Sequence, residues 1–537
     1  MANTPPHKAP KLMPWAQKCL NWVGRLGHPI VLSTITTSAV VFGIRAIGGL
    51  QGLELGVYDQ MMRLRPALDP DERILVVGIS EADVQSRREW PIQDSTLSEV
   101  LEVVLAGNPR AVGLDIFRDV PIGEGHEALL KQIQTNDQVV PVCKISSPDT
   151  PGVPPPSGTP ETQVGFSDLV VDSGGILRRS LLLALPPEES GAVVDHLCSD
   201  PNAQLFSFSL QLALRYLAGE GINPELTPNQ EIKLQETVLR RLDPHVGGYH
   251  NVEASGYQLL LNFRSARDAV PQVSLSEVLS GQVTPDQIRD RIVLIGATTP
   301  QAKDTFYTPY SGGLRDSQKM PGVIVHAQAV SQILSAVLEG RSLIWSWSSF
   351  SEGLWLIAWG LGGALFAWYV RRPICFALGA GVLLGGLYGA SYLLFLQGGW
   401  VPIVPPALVL TLAAGGVVLL DRFNKSDYGK AVYKQMKSLL RLDIEIDTTR
   451  LGQQVAEITE TEYFNSLQQQ ARQLRQQRES QSSQGKRVPK KELPRSTTPD
   501  PSENMDDYFD NLKREARRLK ASDSDKSDSD KPDQKES

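Results

Sequence analysis

The distribution of hydrophobicity along the chain constrains the architecture before any motif is considered. Apolar residues concentrate at 30–50 and again at 350–370, 374–396 and 403–420. Each run is close to the roughly 20 residues with which a helix crosses a bilayer. Four such crossings return the chain to the side on which it began. Residues 1–29 carry Lys8, Lys11, Lys18 and Arg25 without an acidic residue, Arg371 and Arg372 close the second run, and Arg422 and Lys425 follow the fourth. The loop at 397–402 has no charge. This bias predicts that both termini are cytoplasmic and that residues 51–341 lie outside. No small-x-small cleavage pattern follows the first run, which passes into LELGVYDQMMRLRP at unbroken helical periodicity, so it is read as an uncleaved anchor. Arg45 stands late in that run, where its stem is expected to snorkel to the interface.

The external segment alternates strand and helix patterns. RILVVGIS (73–80), AVGLDIF (111–117) and VVPVCKI (139–145) are apolar, β-branched runs of strand length. Between them lie DSTLSEVLEVVLAG (94–107), with Asp94 as an acidic N-cap, and a shorter helix around EALLKQI. The order β-α-β-α-β implies parallel pairing. After a Pro- and Gly-rich loop at 147–160 come an alternating stretch (175–185), a helix (205–217) and a strand (257–263). RIVLIGA (291–297) then reads as a strand buried on both faces, and 322–338 as a helix. DTFYTP (304–309) hangs between these two core elements, where a sensor or an enzyme places its contacts. The fold class expected is an α/β domain with a mostly parallel sheet, joined to four transmembrane helices and a largely disordered tail at 421–537.

Chemistry is sparse. The net charge of −7 and pI near 5.7 give no reason to expect a nucleic-acid partner. There is no Walker loop, G-x-S-x-G, H-E-x-x-H or zinc pattern, so neither an enzyme nor a cofactor is expected. Asp115 closes a strand at the edge where open α/β sheets place ligands, and Glu81 and Asp83 stand in the equivalent place after the first strand. Carboxylates there also cap helices. Asp304, in the loop, and His326, which reads first as a hydrogen-bonded structural histidine, complete the ligand-binding candidates. Cys143 and Cys198, the two external cysteines, are either bridged or separately buried. Gly381, Gly385 and Gly389 clear one helix face for packing within the membrane hairpin or between subunits, which leaves a homodimer open. Transport is not expected, because Arg45 and Glu352, the charges within the spans, lie near span ends.

The set D-x-RILVVGIS-E, Trp90-Pro91, AVGLDIF, VGFSDLVVDSGGILRRS, LNFRS, RIVLIGATTPQAKDTFYTP and PGVIVHAQ resembles the CHASE family of extracytoplasmic sensor domains, second type. The resemblance covers roughly 53–338 and continues into the three later spans. It implies a sensor in a bacterial plasma membrane, with a small-molecule or protein ligand outside and lipid around its spans. Such sensors are usually joined to a cyclase or a kinase. This chain departs from that pattern, because 421–537 holds no such domain and any signal must leave through a separate cytoplasmic protein. The wording at 92–93 and 117–118 also differs from the common family form. An envelope scaffold and an extracytoplasmic hydrolase are the alternatives.

The tail contains a repeat, YFNSLQQQARQLR (463–475) and YFDNLKREARRLK (508–520). Tyr463, Phe464, Leu467 and Leu474 recur as Tyr508, Phe509, Leu512 and Leu519. On a helix the Phe and Leu residues of each copy share a face, with acids before it and bases towards its end, as the helix dipole favours. Each copy is too short to hold a helix alone. Two docking peptides for one cytoplasmic signalling protein are expected, ordered on binding.

Overall fold

The computed structural model describes residues 28–426, except 148–149, 189–195 and 313–317, together with residues 430 and 473. Apart from residue 473, both tail repeats therefore lie outside the described residues. The first span is α1 (Pro29–Ala46), and α2 (Gln51–Leu64) follows. The apolar periodicity that runs on to Leu50 hides a break at Gly48, whose φ of +76° ends the helix.

Next come β1 (Ile74–Ile79), α3 (Glu81–Arg87), α4 (Asp94–Ala106), β2 (Ala111–Asp115), α5 (His126–Thr135) and β3 (Val139–Cys143). The middle of the domain holds β4 (Gly165–Phe166), β5 (Arg179–Ala184), β6 (Leu205–Phe206), α6 (Phe208–Gly219), β7 (Pro224–Leu226), β8 (Ile232–Leu234), β9 (Thr237–Leu239) and β10 (Tyr257–Leu260). Then follow β11 (Gln272–Ser274), α7 (Leu275–Leu279), α8 (Pro285–Ile288), β12 (Ile292–Ala297), β13 (Thr305–Phe306), β14 (Met320–Pro321) and α9 (Gly322–Leu338). Three further helices, α10 (Ser349–Tyr369), α11 (Pro373–Leu396) and α12 (Val404–Lys425), are long and apolar enough to cross a membrane, as is α1.

The main sheet has the order β11-β1-β12-β2-β3-β4, and every pairing in it is parallel. β12 lies between β1 and β2, with Val76 opposite Leu294 and Leu294 opposite Gly113. Alternation along β1 sends Leu75, Val77 and Ile79 into a core shared with α4 and α7, and Ile74 and Val76 into one shared with α6 and α9. Both faces are covered, which is why these strands read as continuous apolar runs. α9 is buried on all sides from Gly322 to Val337: apolar and small residues make up most of its surface, and His326, Gln328 and Gln332 are hydrogen-bonded.

Two local expectations are corrected. The helix expected at 205–217 begins at Phe208, because the Ser207 hydroxyl accepts from the Leu210 amide while Leu205 and Phe206 pair with Ala184 and Leu183. Asp94 is not the N-cap, a position that Gln93 occupies. It is fully buried instead, and its carboxylate meets Arg118 and His126, each at 2.7 Å.

The domain is fastened to its spans by polar contacts. The Glu54 carboxylate accepts from the otherwise free amides of Ile403 (3.0 Å) and Val404 (2.6 Å) at the start of α12, while Tyr58, further along α2, packs on Phe395 and Trp400. Arg45 reaches the domain side of its span, where its head is paired. Its guanidinium donates to the Glu352 carboxylate of α10 and to the Gly247 carbonyl of the domain. The glycine reading changes. Close helix approach uses Gly360 against Val409 and Gly363 against Leu410, whereas a methyl group added at Gly381, Gly385 or Gly389 meets nothing within 4 Å. That stripe therefore packs against no part of this chain among the described residues.

Candidate functional site

The carboxyl ends of β1, β12, β2 and β3 open into a cavity of about 540 Å³, lined from those strands by Ile79, Ala297, Asp115 and Val142. Parallel sheets place ligands at this edge because the strands end there and their connecting loops diverge. Asp304 and His326 line the same cavity. Three of the four ligand candidates thus converge, from a strand end, a loop and a helix. Glu81 does not join them. It accepts hydrogen bonds from Thr299 (2.6 Å), Gln301 (2.8 Å) and Gln85 (3.0 Å), which fix the turn after β12 and hold its carboxyl below the usual range. Asp83 caps α3 through Ser80 and reaches Ser276, so it too is structural.

Two close approaches shape the acidic floor. A side chain at Gly296 would press on Val323 and the Asp115 Cβ, and one at Gly322 would overlap the Asp304 carboxylate. Glycine at 322 therefore lets Asp304 fold over the start of α9, where the Gly322 amide donates to the Asp304 carbonyl at 3.0 Å. Asp115 Oδ2 is shielded from solvent and has no hydrogen-bond partner. Burial pushes the Asp115 carboxyl up to about 7. Burial, then the neighbouring Asp115 charge, raises Asp304 to about 6. His326 donates to or accepts from the Ser209 hydroxyl at 3.0 Å, and burial holds its imidazole down near 4 despite the pull of Asp304. At neutral pH the floor is thus a neutral histidine beside two carboxyls that share an unfavourable negative charge.

The other charged residues of the lining are basic. Lys144, Lys303, Arg118 and Trp90 reach the cavity. None was among the sequence candidates, although Lys144 closes an apolar run and Lys303 adjoins Asp304. Arg118 donates to the Ile92 carbonyl at 2.6 Å and pairs with Asp94. Ile92, Phe117 and Arg118 therefore meet at the cavity.

The cysteine pair lies at the end of β3. Cys143 and Cys198 form a disulfide with a Cα–Cα distance of 6.5 Å, packed against Val164, Phe166 and Leu205. A second polar cluster ties α2 to the domain. Arg178 pairs with Asp59 (2.7 Å) and Asp172 (2.6 Å), Arg179 with Asp172 (2.8 Å), and the Tyr249 hydroxyl donates to Asp172 (2.7 Å). Asp172, Arg178 and Arg179 are the charged residues of VGFSDLVVDSGGILRRS other than Asp168, which explains that motif as a buried fastening.

Comparison with protein families matches residues 36–365 to the CHASE2 domain. The chain belongs to the CHASE2 family. The match begins inside α1 and ends inside α10, so the family unit includes parts of the spans that bracket the α/β domain. CHASE2 domains are extracellular sensor domains, and this CHASE2 protein carries membrane-spanning helices. No curated protein and no solved structure matches the chain.

Proposed function

We propose that this CHASE2 protein is a plasma-membrane sensor with both termini cytoplasmic, whose external cavity binds a small polar ligand carrying a cationic or multiply hydrogen-bond-donating group. The observation that carries this reading is the unpartnered Asp115 Oδ2 beside Asp304. An ammonium group supplies the missing partner and relieves the repulsion between the carboxyls, while Lys144 and Lys303 suit an acidic group elsewhere on the same ligand. Binding is favoured over hydrolysis because Ser209, which with His326 has the makings of a nucleophile and base, is 2% exposed and is not among the residues that line the cavity.

Occupancy has a physical route to the membrane. α9 starts at the cavity, runs for roughly 25 Å, and is followed by the short segment leading into α10. Output then passes to a separate cytoplasmic protein docked on the tail repeats, where two linked sites raise avidity by about 10² to 10⁴. The test is a thermal-shift and calorimetric screen of the full chain with amines, polyamines, amino acids and uncharged analogues. A cation that stabilises the wild type but not Asp115→Asn supports the reading. Stabilisation by a protein partner alone, with no small molecule active, points to a scaffold. For the tail, alanine at Phe464, Leu467, Phe509 and Leu512 should abolish capture of a cytoplasmic protein that the intact tail retains.

A further inference from the structure

A second cavity, also of about 540 Å³, lies between β9 with its following turn and the linker that leads into α10. Its lining includes Arg240, Arg241 and Arg341, with Asp243 as its acidic member. Arg240 and Arg241 are exposed, and among the described residues neither makes an ion pair or a side-chain hydrogen bond. Among the described residues Asp243 forms no ion pair with either arginine. Its carboxylate accepts from the His245 amide at 2.8 Å and faces the His245 ring at 3.8 Å. Arg341 spends one terminal nitrogen on the Asn262 and Phe263 carbonyls, but its Nη1 is shielded from solvent and has no partner. Burial, then Arg65 and Arg264, lower this guanidinium to about 10. Two exposed guanidiniums, Arg240 and Arg241, thus share this cavity with Arg341, and Asp243 is the one acidic residue of its lining.

The cavity's position says where an anion comes from. Its wall continues onto Leu343, Ile344 and Trp345. Trp345 exchanges backbone hydrogen bonds with the α11–α12 loop at Gly398 and Trp400, and α10 begins four residues later at Ser349. The ends of three spans therefore lie at this level, with Trp345, Trp347 and Trp355 in the belt that tryptophan favours at a membrane surface. Phosphate is the anion of the headgroup layer, and Leu343 and Ile344 give the same cavity an apolar wall suited to acyl chains.

We propose that this cavity is a phosphate-binding site that holds the phosphodiester of an anionic lipid on the domain side of the membrane. Guanidinium groups suit the task, since each offers a fork of donors to phosphate oxygens. The site adjoins both the end of α9 and the start of α10, so a bound lipid braces the route by which the sensor cavity reaches the spans.

The test uses the full chain, delipidated in a neutral detergent, with three probes: dihexanoyl-phosphatidylglycerol, glycerol 3-phosphate and inorganic phosphate. Binding is read by calorimetry and by the shift in apparent Tm. Phosphatidylglycerol should bind with an affinity that falls as salt rises, and R240Q/R241Q should weaken it by about tenfold or more. R240K/R241K, which keeps the charges, should retain most of the binding and shows whether the glutamine variant fails for a general reason. Tight binding of phosphatidylglycerol alone identifies a lipid source. Equal binding of glycerol 3-phosphate or inorganic phosphate keeps the phosphate site but assigns it to a soluble ligand, overturning the lipid. No binding of any probe, or equal binding by R240Q/R241Q, overturns the site itself.

Discussion

Asp115→Asn gives the most direct test of the acidic floor. Burial moves the wild-type carboxyl from an ordinary 3.8 to about 7, so the folded chain holds the Asp115 proton more tightly than the unfolded chain does. The stability tied to that proton is complete below about pH 4 and is lost as pH rises through about 7. Such a change in proton affinity corresponds to at most about 4 kcal/mol. Because Asp115 is only partly buried and lysines line the same cavity, a realistic loss is about 1–2 kcal/mol. That is about 2–3 °C in Tm for a domain of this size. Asparagine keeps the shape and cannot ionise, and it also removes the charge that raises Asp304. The apparent Tm of the full chain, scanned at one rate from pH 5 to pH 8.5, should therefore fall more steeply in wild type than in Asp115→Asn. The variant should be the more stable of the two at pH 8. Parallel curves, or a variant that is less stable at pH 8, would refute the claim that burial without a partner sets the carboxyl.

Other substitutions probe the surrounding frame. Gly322→Ala should drive Asp304 off the start of α9, cost about 1–3 kcal/mol and flatten the acidic pH response, as melting curves at two pH values would show. Asp59→Ala removes both bonds to Arg178 and leaves a buried guanidinium half-paired, so denaturation should reveal a loss of about 3 kcal/mol or more. Replacing Cys143 and Cys198 by serine opens a loop with a sequence separation of 55, which chain entropy values at about 4 kcal/mol. Non-reducing peptide mapping should recover the two wild-type cysteines joined.

The parts of the fold that were legible in sequence are those where one requirement dominates. A strand buried on both faces admits only apolar residues, so β1, β2, β3 and β12 announce themselves, and the membrane makes the same demand of α1, α10, α11 and α12. Legibility fails where two requirements compete. The break at Gly48 is invisible because apolar periodicity continues across it. The meander β7–β8–β9 is short, and Pro224, Glu225 and Leu226 of its first strand are all exposed, so no alternation marks it. Asp94 has the local grammar of a cap but is claimed by Arg118 and His126 from later in the chain. At the site, strand-end logic finds Asp115 and loop logic finds Asp304. Glu81 follows the same logic and is claimed by Thr299 and Gln301, a contact across more than 200 residues that no local pattern records.

The polar residues of α9 show how the cavity and the membrane are mechanically connected. Gln328 accepts from the Arg264 amide and donates to the Ser265 carbonyl, and Gln332 does the same with the Asn262 amide and Leu260 carbonyl. Ser331 donates to Asp71, while Arg73 donates to Ser335. The helix is thus clamped along its length, and on the sensor reading proposed above a displacement at Gly322 is expected to pass to the far end. There Arg341 is held by the Asn262 and Phe263 carbonyls, and Asn262 donates to the Ser342 carbonyl just before the membrane. Close packing makes such an assembly move between discrete arrangements rather than bend. Reciprocity follows: if a cation in the Asp115 cavity favours one position of α9, an anion held by Arg341 at its other end must alter the affinity for that cation by the same factor with which the cation alters its own. Measuring each affinity with and without the other ligand should give equal ratios. Ratios of one in both directions would show that the two ends of α9 are independent.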